Sequence, residues 1–356
     1  MTTALSFIFV LGVLIFIHEL GHFLVAKWMG VRVEKFSLGF PPNIFSRRKG
    51  DTTYCIGIIP LGGYVKMAGD NPSEDRRGAP DEFLSKSVAQ RAAVIFAGPF
   101  MNYILTIAIL IGVFMFSGEP IVDAESVRVG EVTADGPADR AGLLAGDIII
   151  AIDGEPVTDF DSLRVRINAR PLEVVEIAWV HESDTVTKTM VTDTSVIPNV
   201  EGSLDTVGII GFSQKVIGTK HLGVFAAVEK GFVMSHVLVY ETVKFVKKAV
   251  TGQVSAKMIG GPLFIAQQSG KEARKGAASL FFFMALLSVN LAVLNVLPIP
   301  ILDGGHLMFL LVEKIRGGRP LTVQALMRAQ QVGMILLFTL IIFVTYNDIL
   351  RYFRGN

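Results

Sequence analysis

His18-Glu19-Leu20-Gly21-His22 sets two imidazoles four residues apart with a carboxylate between them. On an α-helix that spacing turns about 40° and rises about 6 Å, so both rings can reach one metal ion. Glu19 then stands where a general base for an activated water would stand. The motif is embedded in apolar sequence, Ala4 to Ile17 before it and Phe23 to Ala26 after it. Charge inside a membrane-length run is expensive and marks a functional site by default. Two histidines hydrogen-bonded between helices are the plainer alternative. A signal peptide is another, but the run has no basic leader and no small-residue cleavage site, and the motif interrupts it.

The elements that must position this motif follow from composition. Of 356 residues, 51% are hydrophobic and 18% charged, with a formal net charge of +1. That is too apolar for an ordinary soluble enzyme and predicts an integral membrane protein; the charge balance gives no reason to expect nucleic acid. The single cysteine, Cys55, excludes an internal disulfide and a multi-cysteine metal site. Four stretches are long enough to span a bilayer, at about 4–26, 93–116, 277–302 and 330–350. Val224–Val250 is equally long but carries Glu229, Lys230, Glu241, Lys244, Lys247 and Lys248. It reads as an amphipathic helix lying on the membrane, within a 216–276 linker.

With four spans, the first and third run in the same direction. His18 and His22 lie in the later half of the first, and Asp303 follows Pro298 and Pro300 at the end of the third. Both sites fall toward one face, so Asp303 can be a third metal ligand. Segment 29–92 is rich in Arg and Lys, including Arg47, Arg48, Lys49 and Arg91, and Lys314, Arg316, Arg319 and Arg328 precede the fourth span. Segment 118–215 is strongly acidic. The positive-inside rule places the basic loops in the cytoplasm, the acidic segment and both termini outside, and the metal site toward the cytoplasmic side. The basic side chains themselves read as solvated topology signals.

Thr52–Pro60 followed by Leu61-Gly62-Gly63-Tyr64-Val65 reads as a β-hairpin at about 52–69, punctuated by Pro60 and the glycine pair. It is expected to dip into the interface beside the site, where its edge could pair with an extended peptide. Asn290 and Asn295 need partners inside the third span, and its two prolines free carbonyls that only protein or a wet cavity can satisfy. Segment 122–215 alternates short strands, a capped helix and glycine turns.

Together these residues closely resemble the site-2 protease family of intramembrane metalloproteases. Leu302-Asp303-Gly304 matches the family's L-D-G motif, Leu61–Val65 its bacterial hairpin, and Gly98-Pro99 with Asn102 a second-span signature. Segment 122–215 resembles a bacterial PDZ domain, with Gly208-Ile209-Ile210-Gly211-Phe212 as its carboxylate-binding loop. That insertion fits the branch of regulator-of-sigma-E proteases, with one PDZ unit here instead of the two in tandem of the enterobacterial type. The expected fold is an α-helical polytopic membrane protein with four spans, a membrane-associated β-hairpin and an inserted extracytoplasmic α+β PDZ domain. The halves of the membrane core are then 1–121 and 277–356.

The resemblance implies Zn2+ held by His18, His22 and Asp303, with Glu19 as general base. It further implies that Asn290, Asn295 and the hairpin residues Gly62, Gly63 and Tyr64 hold the substrate backbone. Iron would accept the same two histidines and carboxylate. The implied location is the bacterial inner membrane. The implied substrates are single-span membrane proteins such as anti-sigma factors and signal-peptide remnants, and the PDZ groove would bind peptide C-termini. Two rivals are a non-proteolytic membrane PDZ scaffold and a transporter; the latter predicts an inverted repeat that the chain does not display.

Overall fold

The computed structural model describes residues 2–71, 78–123, 126–198, 204–253 and 260–354. In chain order the elements begin with α1 (Thr2–Trp28), β1 (Val33–Lys49), β2 (Thr52–Met67) and α2 (Val88–Ser117). A run of short elements follows: β3 (Glu119–Val122), β4 (Val127–Val132), α3 (Pro137–Ala141), β5 (Ile148–Ile152), β6 (Glu155–Pro156) and α4 (Phe160–Asn168). Next come β7 (Val174–His181), β8 (Asp184–Val191), β9 (Asp193–Pro198), β10 (Leu204–Ile209), β11 (Phe212–Gln214) and β12 (Val216–Lys220). Helices close the chain: α5 (Val224–Val250), α6 (Pro262–Lys275), α7 (Ala277–Val296), α8 (Asp303–Ile315) and α9 (Val323–Arg354). The chain divides into two compact units, Phe114–Val224 with Lys247–Val254, and the remainder.

Among the described residues, four helices are long and apolar enough to cross a membrane: α1, α2, α7 and Val323–Leu350 of α9. The third stops at Val296, earlier than the expected limit of 302. Pro298 and Pro300 supply no N–H to continue the ladder, and the chain restarts as α8 at Asp303. Val10 and Leu14 of α1 bury against Met284 of α7. Polar side chains join α2 to α7: Ser288 Oγ donates to Asn102 O at 2.7 Å, and Thr106 Oγ1 donates toward Ala285 O at 3.2 Å. Such bonds hold apolar helices together where burial alone gives no preference for protein over lipid. Helix α5 is not among the four apolar helices; His236 meets Tyr103 of α2, and Thr242 Oγ1 donates to Asn290 Oδ1 of α7 at 2.7 Å.

The hairpin differs from the expected one. Residues 63–67 pair with 33–38, not with 52–59, through Val33–Met67, Phe36–Val65 and Leu38–Gly63. The other edge of 35–40 pairs with 53–59, which in turn pairs with 43–49. Segment 33–40 therefore lies between the two halves expected to be adjacent. Local alternation of apolar and polar residues identifies strands but not neighbours, and this intervening strand precedes both. Segment 63–67 is left as an edge beside α1.

The smaller unit is built on a sheet of order β11-β4-β5-β7-β8, with β6 paired to β5. Val127, Val129, Leu143, Ile149, Leu163, Ile177 and Trp179 fill its core. Helix α4 begins where Asp159 accepts from Ser162 N at 2.7 Å, the capping bond expected of an aspartate there. Strands β3 and β12 pair Glu119 with Lys220, so the segment's entry and exit form one ribbon. On this unit His181 Nδ1 donates to Asp147 Oδ1 at 2.7 Å, and Asp147 is nearly buried. That bond, and then the carboxylate's charge, raise the pKa of His181 above the ordinary imidazole value. A raised folded pKa stabilises fully below the unfolded value and is lost as pH rises through the folded one. The expected result is an NMR titration of His181 above about 6.5. The unit's melting midpoint should also fall as pH rises through that midpoint, a dependence absent from His181→Asn; titration at or below about 6.5 would exclude the linkage.

Candidate metal centre

His18 and His22 face the same side of α1, and α2 crosses α1 there at unusually short range. A Cβ on Gly21 would stand 2.3 Å from Ala97 O, and one on Gly98 would stand 2.3 Å from His22 Nε2 and 2.9 Å from His18 Cε1. Only glycine at both positions lets the backbones approach closely enough to bring α2 against the imidazoles. Pro99 lacks an N–H and crowds the carbonyl of Ile95, which loosens the turn of α2 beside His22.

Neighbours on α2 fix the ring tautomers. His22 Nδ1 lies 2.9 Å from Val94 O. A carbonyl can only accept, so Nδ1 carries the proton and Nε2 keeps its lone pair. His18 Nδ1 lies 3.2 Å from the amide of Asn102, a fully buried residue whose Oδ1 otherwise has no partner. The two ends of an amide are interchangeable in shape. Turning Asn102 so that Oδ1 accepts from His18 Nδ1–H gives that oxygen its partner and leaves His18 Nε2 unprotonated as well.

Three lone-pair atoms then converge. His18 Nε2 lies 3.3 Å from His22 Nε2 and 3.1 Å from Asp303 Oδ2, and His22 Nε2 lies 3.6 Å from Asp303 Oδ1. Asp303 Oδ2 is buried with no hydrogen-bond partner. Acceptors this close repel one another unless a cation sits among them. Tetrahedral zinc with Zn–N of about 2.0 Å separates its ligands by about 3.3 Å, so the spacing fits the ion. Among the described residues, His18, His22 and Asp303 form the one His/Cys/Asp/Glu group of metal-binding spacing, and His306 stays outside it.

The other expected site residues divide. Asn295 Nδ2 lies 3.4 Å from His18 Nε2, at the cluster. Asn290 is instead engaged by Thr242 of α5. Gly63 brings the edge strand to Glu19, since a Cβ there would lie 3.0 Å from Glu19 Cγ. Gly62 is covered by Phe40, and the Tyr64 ring stacks on Phe40 at 6.4 Å. Asn102, Val94 and Gly98 were not expected in the site. Gly98 and Asn102 enter the sequence reading only as parts of a second-span signature, and nothing in the sequence singles out Val94.

Comparison with known proteins follows the same lines. The pattern of peptidase family M50 matches residues 6–340. A provisionally named zinc metalloprotease of Rhizobium meliloti is 36% identical over 97% of this chain and 95% of its own. Zinc metalloprotease RasP of Geobacillus kaustophilus is 31% identical over 98% of each chain. Regulator of sigma-W protease RasP of Bacillus subtilis is 30% identical over 99% of each. The PDZ domain of an SdrC-like protein from Listeria monocytogenes aligns at 23% identity over 26% of this chain and 92% of its own, with a TM-score of 0.21. At that score the likeness is too weak to weigh.

Proposed function

The chain belongs to peptidase family M50, and from that membership we propose that its His18–His22–Asp303 centre cuts single-span membrane proteins. It is a zinc metalloprotease of the site-2 type. The observation that carries the reading is the convergence of His18 Nε2, His22 Nε2 and the Asp303 carboxylate, from the first apolar helix and the start of α8.

His18 Nε2, His22 Nε2 and Asp303 would hold the ion and leave one position open to water. Bound zinc supplies Lewis-acid polarisation of the scissile carbonyl and lowers the pKa of water. Glu19 takes the proton from the attacking water on its carboxylate and returns it to the leaving amine nitrogen. Val94 O and the Asn102 amide keep both imidazoles in the tautomer that binds metal. A membrane helix hides its carbonyls in its own hydrogen bonds and must unwind to be cut. Segment 63–67, held beside Glu19 at Gly63, would offer the released backbone new partners by strand addition, and Asn295 offers an amide at the reacting end. Asn290 acts further from the metal, with its amide oriented by Thr242.

The basic loops support a cytoplasm-facing site, with residues 122–215 and both termini outside the bacterial inner membrane. Residues 122–215 are proposed as a PDZ domain. A cleft of about 570 Å³ lies between α4 and the 207–212 segment, lined by Thr133, Phe160, Leu163, Ile167, Gly211 and Phe212. Its largely apolar lining suits the side chain of a peptide C-terminus. The sigma-W regulation named for the Bacillus subtilis relative supports anti-sigma factors as substrates.

The test is cleavage of a tagged single-span protein in membranes, with and without a zinc chelator, in the unaltered chain, His18→Ala and Asp303→Ala. The expected result is about one zinc per purified chain, depleted in both variants, and cutting that stops with either variant or with chelation. Cutting that survives both perturbations would overturn the reading.

A further inference from the structure

A buried ion pair joins α2 to α8. Arg91 Nη2 donates to Glu313 Oε1 at 2.5 Å and Nη1 to Oε2 at 3.1 Å, with side chains 8% and 9% exposed. The remaining guanidinium nitrogen, Nε, donates to Lys86 O at 3.1 Å. All three nitrogens are thus committed, and a fork bonded on both edges fixes direction as well as distance. A buried pair contributes little net stability against an apolar substitute of the same volume. What it does specify here is where α8 sits.

Asp303 is the first residue of α8, and Glu313 lies in its last turns. The leading end packs backbone to backbone on the end of α7: a Cβ on Gly304 would lie 2.2 Å from both Val296 O and Leu297 O. The helix is therefore held at two points, Gly304 and Glu313, about 14 Å apart at 1.5 Å per residue. Arg91 itself shares a face of α2 with Val94, Gly98 and Asn102, at successive spacings of three, four and four residues. That face already holds His22 through Val94 O and His18 through Asn102. We propose that Arg91 and Glu313 are positioning residues that set Asp303 against the two histidines, so that one face of α2 orients all three ligands. The inference rests on the reading of His18, His22 and Asp303 as the zinc ligands.

The test measures zinc affinity of the purified full chain by competition with a chromogenic chelator, together with thermal melting. Arg91→Met/Glu313→Leu replaces the pair by apolar side chains of similar volume, a change that buried pairs tolerate without loss of fold. The expected result is a melting midpoint close to that of the unaltered chain and a zinc affinity weaker by about 10–100-fold, as for other outer partners of metal ligands. Arg91→Lys keeps the charge and loses the fork, and is expected to weaken zinc binding in the same direction; it decides the matter if the double variant does not fold. Asp303→Ala is the control. Unaltered affinity in the folded pair variants, with loss in Asp303→Ala, would leave the pair merely structural and overturn the proposal. Unaltered affinity in Asp303→Ala would remove the ligand reading, and the proposal with it.

Discussion

Glu19→Gln is expected to abolish cleavage while the protein keeps its zinc. The amide has the shape of the carboxylate, so the packing of α1 against Gly63 is undisturbed. What disappears is a group able to accept a proton from water and pass it on. General base catalysis contributes about 10²–10⁴-fold, and a loss of that size is expected in the rate of cutting a tagged single-span substrate. Zinc content should stay at the unaltered level, because Glu19 is not one of the three converging ligands. Cutting at the unaltered rate would remove Glu19 from the mechanism. Loss of zinc along with activity would make it a ligand or a support for one.

The second large effect is expected from the smallest possible addition, one methyl group. Gly98→Ala puts a carbon 2.3 Å from His22 Nε2, 2.6 Å from His22 Cε1 and 2.9 Å from His18 Cε1. Ordinary contact requires at least about 1 Å more. The imidazoles cannot yield without breaking the bonds to Val94 O and Asn102. Helix α2 can yield only by backing away from α1, which would open its close approach at Gly21 and draw Val94 O and Asn102 away from the imidazoles. A displacement of about 1 Å in a reacting group costs about 10²-fold. The expected outcome is therefore a fall in activity of at least that size, with reduced zinc content in protein that still inserts and folds. Full zinc occupancy and full activity in Gly98→Ala would mean that the helices do not approach as closely as described.

Much of this architecture was legible in the sequence. The four apolar helices declare themselves by length and composition, and the expected common direction of the first and third spans, with the L-D-G resemblance, pairs Asp303 with His18 and His22. The rest was hidden for separable reasons. Strand order around the hairpin depends on which distant segments pair, and period-two alternation says nothing about that. Arg91 looked like one more solvated basic residue in a loop rich in them, but its guanidinium is buried on Glu313, 222 positions along the chain. Composition gave the sign of that charge but not its partner. Asn102 was noticed as part of a signature, yet only coordinates connect its amide to the Nδ1 of His18. Tyr64 is expected to hold substrate because it sits in the hairpin motif, and its stacking on Phe40 is a contact that the motif does not announce.

The proposed ligands come from distant parts of the sequence: His18 and His22 precede Asp303 by 285 and 281 residues. A polypeptide that has made its first helix but not yet α8 holds two imidazoles and the carboxylate of Glu19 but no closed cage for the ion. On the proposed reading, hydrolytic competence waits on the docking of α8.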